Sequence, residues 1–311
     1  MAAHLNTMDL VRTFRQILGK SRAAYEDGLR KMPLGDGYII IIADGPGNAV
    51  AQTAALSFES LAGRPCLVRS FGEFSAYDLA LVHPHTPVLA ISLSHQTESA
   101  VETLRGAKRR GAWLMVLTHD PRNPLTGVAD EVFLLQLAIE DRDTAQSLLC
   151  AHVAAGGLGL YAGLIFKPHP SQRERYLSQF EDLPEHLDHV FSHSSSAVRQ
   201  MIEEARGRQR ILILGCGFSR PAATQAAAWI ETALGRATHG GSPAEFPGSI
   251  PDRCDQNTVI IFLCGSQSPH KKLIHDLAEE VARKKAVILA ITDGADSGLI
   301  RHARLSLLIP P

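Results

Sequence analysis

The sequence predicts two tandem α/β domains, each a doubly wound parallel sheet, related by internal duplication. Three observations carry this. Short β-branched apolar runs alternate with helical stretches, the pattern of a parallel sheet with crossover helices. The runs are apolar throughout rather than alternating, as strands covered on both faces are. The order of elements then begins again after residue 206. Ile211-Leu212-Ile213-Leu214-Gly215-Cys216-Gly217 mirrors Ile39-Ile40-Ile41-Ile42-Ala43-Asp44-Gly45, and Val259–Ser266 mirrors Val88–Ser94. Val287–Thr292 with Asp293 mirrors Leu114–Thr118 with His119-Asp120, and Arg304–Ile309 mirrors the strand at Val132. A nearly constant offset over four elements marks a duplication.

In order, Met8–Met32 reads as a helix with Leu10, Phe14, Ile17 and Leu18 on one face. Pro33 to Gly37 ends it. Tyr38–Ala43 is a central strand that turns at Asp44-Gly45-Pro46-Gly47 into a helix over Ala49–Leu61. Strands follow at Pro65–Arg69, Val88–Ile91, Trp113–Thr118 and Val132–Leu137, with an amphipathic helix from Glu98. A helix over Thr144–Ile165 precedes the charged, proline-containing stretch Lys167–Pro184, which reads as a connecting segment. Ser194–Arg206 reads as a helix capped by its serines, and Pro221–Ala233 as the helix after the second copy's first strand. The expected organisation is a helical segment 1–34, a first domain 35–166, a linker and helix 167–206, and a second domain 207–311.

Composition removes several functional classes. The 311 residues carry a net charge of −1 and no concentrated basic face, which argues against nucleic acid as a partner. No apolar run reaches the length of a membrane span, and Met1–Leu10 lacks a signal-peptide pattern, so no membrane partner is expected. The five cysteines are scattered without C-x-x-C pairs, which suits a reducing cytoplasm and argues against a zinc site. The fourteen histidines show no H-E-x-x-H spacing; His83 and His85 flank Pro84 in what reads as a solvated loop.

The strand Val88–Ile91 runs through Ser92, Ser94 and Thr97 into a helix. Helix N-terminal N–H groups lack intrahelical partners and the dipole favours an anion there, so added hydroxyls make a phosphate-binding loop. The bland alternative is that Ser94 or Thr97 caps the helix. Gly45 and Gly47, and Gly215 with Gly217, also sit at strand-to-helix turns. A dinucleotide reading needs a third glycine and an acid at a second strand end; the glycine is missing and Glu73 lies beyond the strand. Tight turning accounts for these glycines.

The stretch Ile91-Ser92-Leu93-Ser94-His95-Gln96-Thr97-Glu98 resembles the phosphosugar loop of the sugar isomerase (SIS) domain family. Phe58–Cys66, Gly72-Glu73-Phe74, Ala107–Ala112, Leu117-Thr118, Asn123-Pro124-Leu125 and Ala129-Asp130 extend the resemblance, which runs from about Tyr38 onward. It implies two flavodoxin-like SIS domains arranged as in the isomerase half of glucosamine-6-phosphate synthase and related deglycases. It implies phosphate ligation by Ser92, Ser94 and Thr97, with Gly45, Gly47 and Thr144 near the sugar. It implies one site per subunit, because the second copy has Cys264 for Ser92 and Pro269 near the place of Thr97.

The chemistry implied is aldose–ketose interconversion through an enediol, or cleavage of a sugar–amine adduct, without metal or other cofactor. It needs a carboxylate raised toward neutrality by burial. The family places it on the helix after the first strand of the second domain, where Glu231 is the only acid. Its ordinary alternative is an exposed helix-end residue. The family's Gly-Glu-x-x-His-Gly-Pro segment is here Ser242–Gly248; it keeps Glu245 but not the ring-opening histidine, for which His239 is a substitute candidate. The Ser-Thr-Lys run is reduced to Asp143-Thr144-Ala145, and the second copy lacks the C-terminal helix and tail. The resulting expectation is a cytoplasmic, homodimeric phosphosugar isomerase or deglycase acting on a phosphorylated sugar or sugar-amine derivative. Two rivals stand beside it: a non-catalytic phosphosugar sensor and a nucleotide-dependent oxidoreductase.

Overall fold

Apolar runs bracketed by turn residues become most of the strands, and the stretches between them become covering helices. A computed structural model describes residues 7–33, 37–93, 98–135, 137, 145–166, 170–246, 249–294 and 297–310. The chain divides into two compact units, Met1–Glu185 and His186–Pro311.

In the first unit, helix α1 (Thr7–Arg30) precedes strand β1 (Ile39–Ile42), helix α2 (Gly47–Ser57) and strand β2 (Cys66–Arg69). A one-turn helix α3 (Phe71–Glu73), strand β3 (Pro87–Ser92), helix α4 (Glu98–Arg109), strand β4 (Trp113–Thr118) and strand β5 (Glu131–Leu134) follow. The five strands are parallel in the order β2-β1-β3-β4-β5. One face of the sheet (Ile40, Ile42, Val88, Ala90, Leu114, Val116) packs on Ala100, Val101, Leu104 and Ala107 of α4. Helix α5 (Ala145–Phe166) packs against α1 and α2, and helix α6 (Pro170–Glu181) against α5. Tyr25 of α1 meets the edge of the Phe133 ring on β5, with ring centroids 5.4 Å apart.

The second unit repeats the plan. Helix α7 (Leu183–Arg206) leads into strand β6 (Arg210–Gly215), helix α8 (Ser219–Leu234), strand β7 (Thr238–Gly241) and strand β8 (Thr258–Leu263). Helix α9 (Lys271–Arg283), strand β9 (Val287–Asp293), the short helix α10 (Ser297–Ile300) and strand β10 (Leu305–Ile309) complete it. The order β7-β6-β8-β9-β10, again all parallel, is the topology of the first sheet. Leu212, Leu214, Ile260 and Phe262 pack on Ile274, Ala278 and Val281 of α9. On the opposite face Ile211 and Ile213 meet Ala223 and Ala227 of α8, and Val259 and Leu289 meet Met201 of α7. Two five-stranded parallel sheets of identical order establish the duplicated α/β architecture.

Four local expectations need correction. The stretch taken as a connecting segment is largely helical, as α6 and the start of α7. Pro170 and Pro184 stand in first turns, where the missing N–H costs no intrahelical bond. Ser194 does not cap a helix; it lies inside α7 and is buried. His239 lies on strand β7 rather than in a loop. One helix, α5, does have the length and composition of a membrane span, but 72% of its apolar window is buried inside the protein. Its mixture of Gly, Ala and Leu suits a core helix: a Cβ added to Gly159 would stand 2.4 Å from Ser57 Cβ and 2.5 Å from Ser57 C, and one on Gly163 would stand 2.6 Å from Leu61 O.

The same core encloses Cys150, whose thiol burial pushes up to about 12. At pH 8 its thiolate fraction is then about one part in ten thousand. Iodoacetamide labelling of the folded protein, read by peptide mass spectrometry, is expected to leave Cys150 unmodified and to label it after denaturation.

Candidate functional site

The C-terminal edge of the first sheet gathers the polar residues of this unit. A parallel sheet delivers each strand's end to one edge, where the crossover turns collect and ligands bind. The chain leaves β1 at Ile42 and turns through Asp44 and Gly45, whose φ of +54° lies in the left-handed region. Asp44 Oδ1 accepts from the Phe71 N–H at 3.1 Å and so ties this turn to the start of α3. Gly47, buried at the first position of α2, would bring a Cβ to 3.4 Å from Ala43 Cβ and 3.8 Å from Ile91 O. Its smallness lets α2 start against β3.

Glu73 is not an open ribose-binding acid. It forms a reciprocal capping box with Ser70, accepting from the Ser70 N–H at 3.2 Å and the Ser70 hydroxyl at 3.0 Å. These donors hold its carboxylate below the usual range.

Ser92 ends β3 directly beside Thr118, which ends β4. Both are fully buried. Asn123 donates from Nδ2 to Ser92 Oγ at 2.6 Å and reaches Thr118 Oγ1 at 3.4 Å. The Leu125 N–H donates to Asn123 Oδ1 at 3.0 Å, and the Asp120 N–H to Thr118 Oγ1 at 3.2 Å. Ser92 is therefore an enclosed, oriented hydroxyl. Ser94, Thr97 and Thr144 lie outside the described residues, as does His95.

The catalytic candidates fall elsewhere. Glu231 is exposed, and its carbonyl accepts the Gly235 N–H that ends α8. It lies about 18 Å along the helix axis from Ser219, at 1.5 Å per residue. Its own unit does not supply the burial expected of a base, because the last turn of α8 faces outward. Glu245 pairs with Arg220 Nη2 at 2.6 Å and accepts from the Ser242 N–H at 2.8 Å, so its carboxylate is already engaged. His239 is exposed, with its ring 4.3 Å from the Phe246 ring. Among the described residues no hydrogen bond or ion pair joins Glu231, His239 and Glu245.

In the second unit the corresponding edge holds its own anion. Asp293, the last residue of β9, is 7% exposed. It accepts the Ser266 hydroxyl at 2.7 Å and the Ser266 N–H at 3.0 Å. Ser266 is the residue that sequence comparison of the two copies sets against Ser94. Asp293→Ala is expected to cost about 1 kcal/mol, because it leaves the partly buried N–H and O–H of Ser266 without their acceptor. Urea denaturation of the second unit's transition measures it.

The sequence marks Asn123 only as part of the family resemblance and Asp293 only as part of the repeat, with no role for either. Asn123 had one usable signal, its place before Pro124 in the turn after β4. Asp293 had another, since it stands where the first copy reads His119-Asp120.

Comparison with known proteins agrees with the duplication. The sequence profile described as the SIS domain matches residues 36–154 and 205–311. The glutamine–fructose-6-phosphate aminotransferase (isomerizing) of Corynebacterium efficiens is 23% identical over 278 residues, covering 88% of this chain and 44% of that enzyme. The chain thus spans less than half the length of such relatives. Among solved structures, the C-terminal domain of glucosamine-fructose-6-phosphate aminotransferase from Francisella tularensis superposes with a TM-score of 0.78 at 16% identity, covering 96% of this chain and 88% of that one. Tagatose-6-phosphate ketose/aldose isomerase from Escherichia coli gives 0.75 at 18% identity, covering 98% and 83%.

Proposed function

Because this chain belongs to the SIS domain family, we propose that it binds a phosphorylated sugar at the C-terminal edge of its first sheet. The observation that carries the reading is the Ser92–Asn123–Thr118 cluster, which holds a serine hydroxyl in place at the strand end where the phosphosugar loop begins. The names of the relatives, which act on or make 6-phosphate sugars, support the same substrate class. Ser94 and Thr97 complete the phosphate contacts in this reading, and Gly45, Gly47 and Thr144 lie toward the sugar. Binding without turnover is the form the geometry supports best, since Glu231 is uncovered and Glu245 is held by Arg220.

The second reading is aldose–ketose isomerisation or sugar–amine cleavage with Glu231 as base. The names of the solved relatives favour it. It goes with a homodimer, in which a second copy of the chain would cover Glu231. Five scattered cysteines without C-x-x-C pairs support a reducing compartment, the cytoplasm, for either reading.

Thermal unfolding of the full chain with fructose 6-phosphate, glucosamine 6-phosphate and arabinose 5-phosphate tests binding. A ligand at a hundred times its Kd stabilises the unit that holds it by about 2.7 kcal/mol, a rise of several degrees. The unphosphorylated sugars are expected to give no rise, and an equal rise with them would remove the proposal. NMR of C2 proton exchange in heavy water separates the two readings: retention of the proton is the expected result, and exchange abolished by Glu231→Gln would install the isomerase.

A further inference from the structure

We infer that Asn123 is a positioning residue that sets Ser92 to donate, and so selects a ligand group whose oxygens only accept: a fully ionised phosphate ester. The inference rests on the phosphosugar reading above and names the group that specifies its charge state. An amide side chain has one end that accepts and one that donates. Here the Leu125 N–H occupies the accepting end, at 3.0 Å from Oδ1. The donating end must then face Ser92, and it does so at 2.6 Å.

The consequence for Ser92 is a matter of hydrogen placement. Its oxygen accepts from Asn123, so its own O–H points elsewhere. Among the described residues that hydrogen meets no acceptor, although Ser92 is fully buried. A buried hydroxyl left without an acceptor is costly, and a dianionic phosphate oxygen is the strongest neutral-pH partner for it. Thr118, also fully buried, is touched by the same amide at 3.4 Å, so one side chain spans both strand ends. Asn123 is itself buried, and in this inference it acts through Ser92 rather than on the ligand.

The test is a set of four chains titrated calorimetrically with fructose 6-phosphate and with inorganic phosphate: wild type, Asn123→Ala, Ser92→Ala and the double variant. A fifth, Asn123→Asp, is nearly isosteric but offers Ser92 an acceptor where the amide offered a donor. It would turn the hydroxyl inward, and the expected result is an affinity loss of about tenfold or more. Asn123→Ala is expected to weaken binding in the presence of Ser92 and to add nothing once Ser92 is alanine, since its effect passes through that hydroxyl. A merely structural role would instead give losses that add. Unchanged affinity in Asn123→Asp, or additive losses in the cycle, overturns the inference while leaving phosphosugar binding standing. Should Asn123→Asp fail to fold, the alanine cycle decides alone. If wild type binds neither probe, the functional reading fails and the inference falls with it.

Discussion

Gly159→Val is expected to lower the melting temperature of the first unit by roughly 6–12 °C. The added side chain starts at a Cβ position 2.5 Å from the backbone carbon of Ser57 and 2.7 Å from the Phe58 nitrogen, so no rotamer relieves the clash. Helices α2 and α5 must separate. Overpacking of this kind costs about 3 kcal/mol, the upper part of the usual range. For a unit of this size each kcal/mol moves the transition by about 2–4 °C. Gly19 in α1 is the internal control, because a Cβ there meets nothing within 4 Å. Gly19→Ala is expected to stabilise slightly, by about 0.5–1 kcal/mol, since glycine is entropically costly within a helix. Differential scanning calorimetry of both variants checks the contrast. Equal effects would mean that the α2–α5 contact does not set the stability of this unit.

Ser92→Ala is expected to weaken binding of 6-phosphate sugars by about ten- to a hundredfold while leaving the fold intact. A hydrogen bond to a charged group contributes about 1.5–3 kcal/mol, which is that ratio in Kd. The variant also leaves the Asn123 amide with a single acceptor, Thr118 at 3.4 Å, so a small loss of stability accompanies it. Titration with fructose 6-phosphate measures the first effect and thermal unfolding the second. Full affinity in Ser92→Ala would move the phosphate site away from the end of β3.

Most strands were legible because each is a largely apolar run; Ile39–Ile42 and Trp113–Thr118 need no tertiary context to be read. The repeated strand order was legible for the same reason. Helix boundaries governed by proline were misread: Pro170 and Pro184 look like breakers but stand in first turns. β7 escaped notice because Thr238-His239-Gly240-Gly241 has no apolar run. It is held as a strand by pairing with β6 and by α8, whose Ala223 carbonyl packs directly on Gly240. The site divides in the same way. Ser92 could be found from local pattern, whereas Asn123 reaches it across 31 positions of sequence, a partnership that only the sheet creates. Glu231 shows the converse. Its type and helix matched a catalytic role, but its surroundings are solvent rather than the buried pocket that such a carboxylate needs.

The Ser266–Asp293 contact also bears on how many ligands one chain holds. A carboxylate fixed 2.7 Å from the hydroxyl it occupies behaves as a tethered competitor, present at an effective concentration far above that of any free metabolite. A phosphate approaching that loop would have to displace it and then tolerate its charge at close range, a repulsion of about 4 kcal/mol per unit charge at about 4 Å for an effective dielectric of about 20. Duplication would then have produced two cradles and furnished one of them with a permanent occupant. Saturation of the full chain with fructose 6-phosphate is accordingly expected at one molecule per chain.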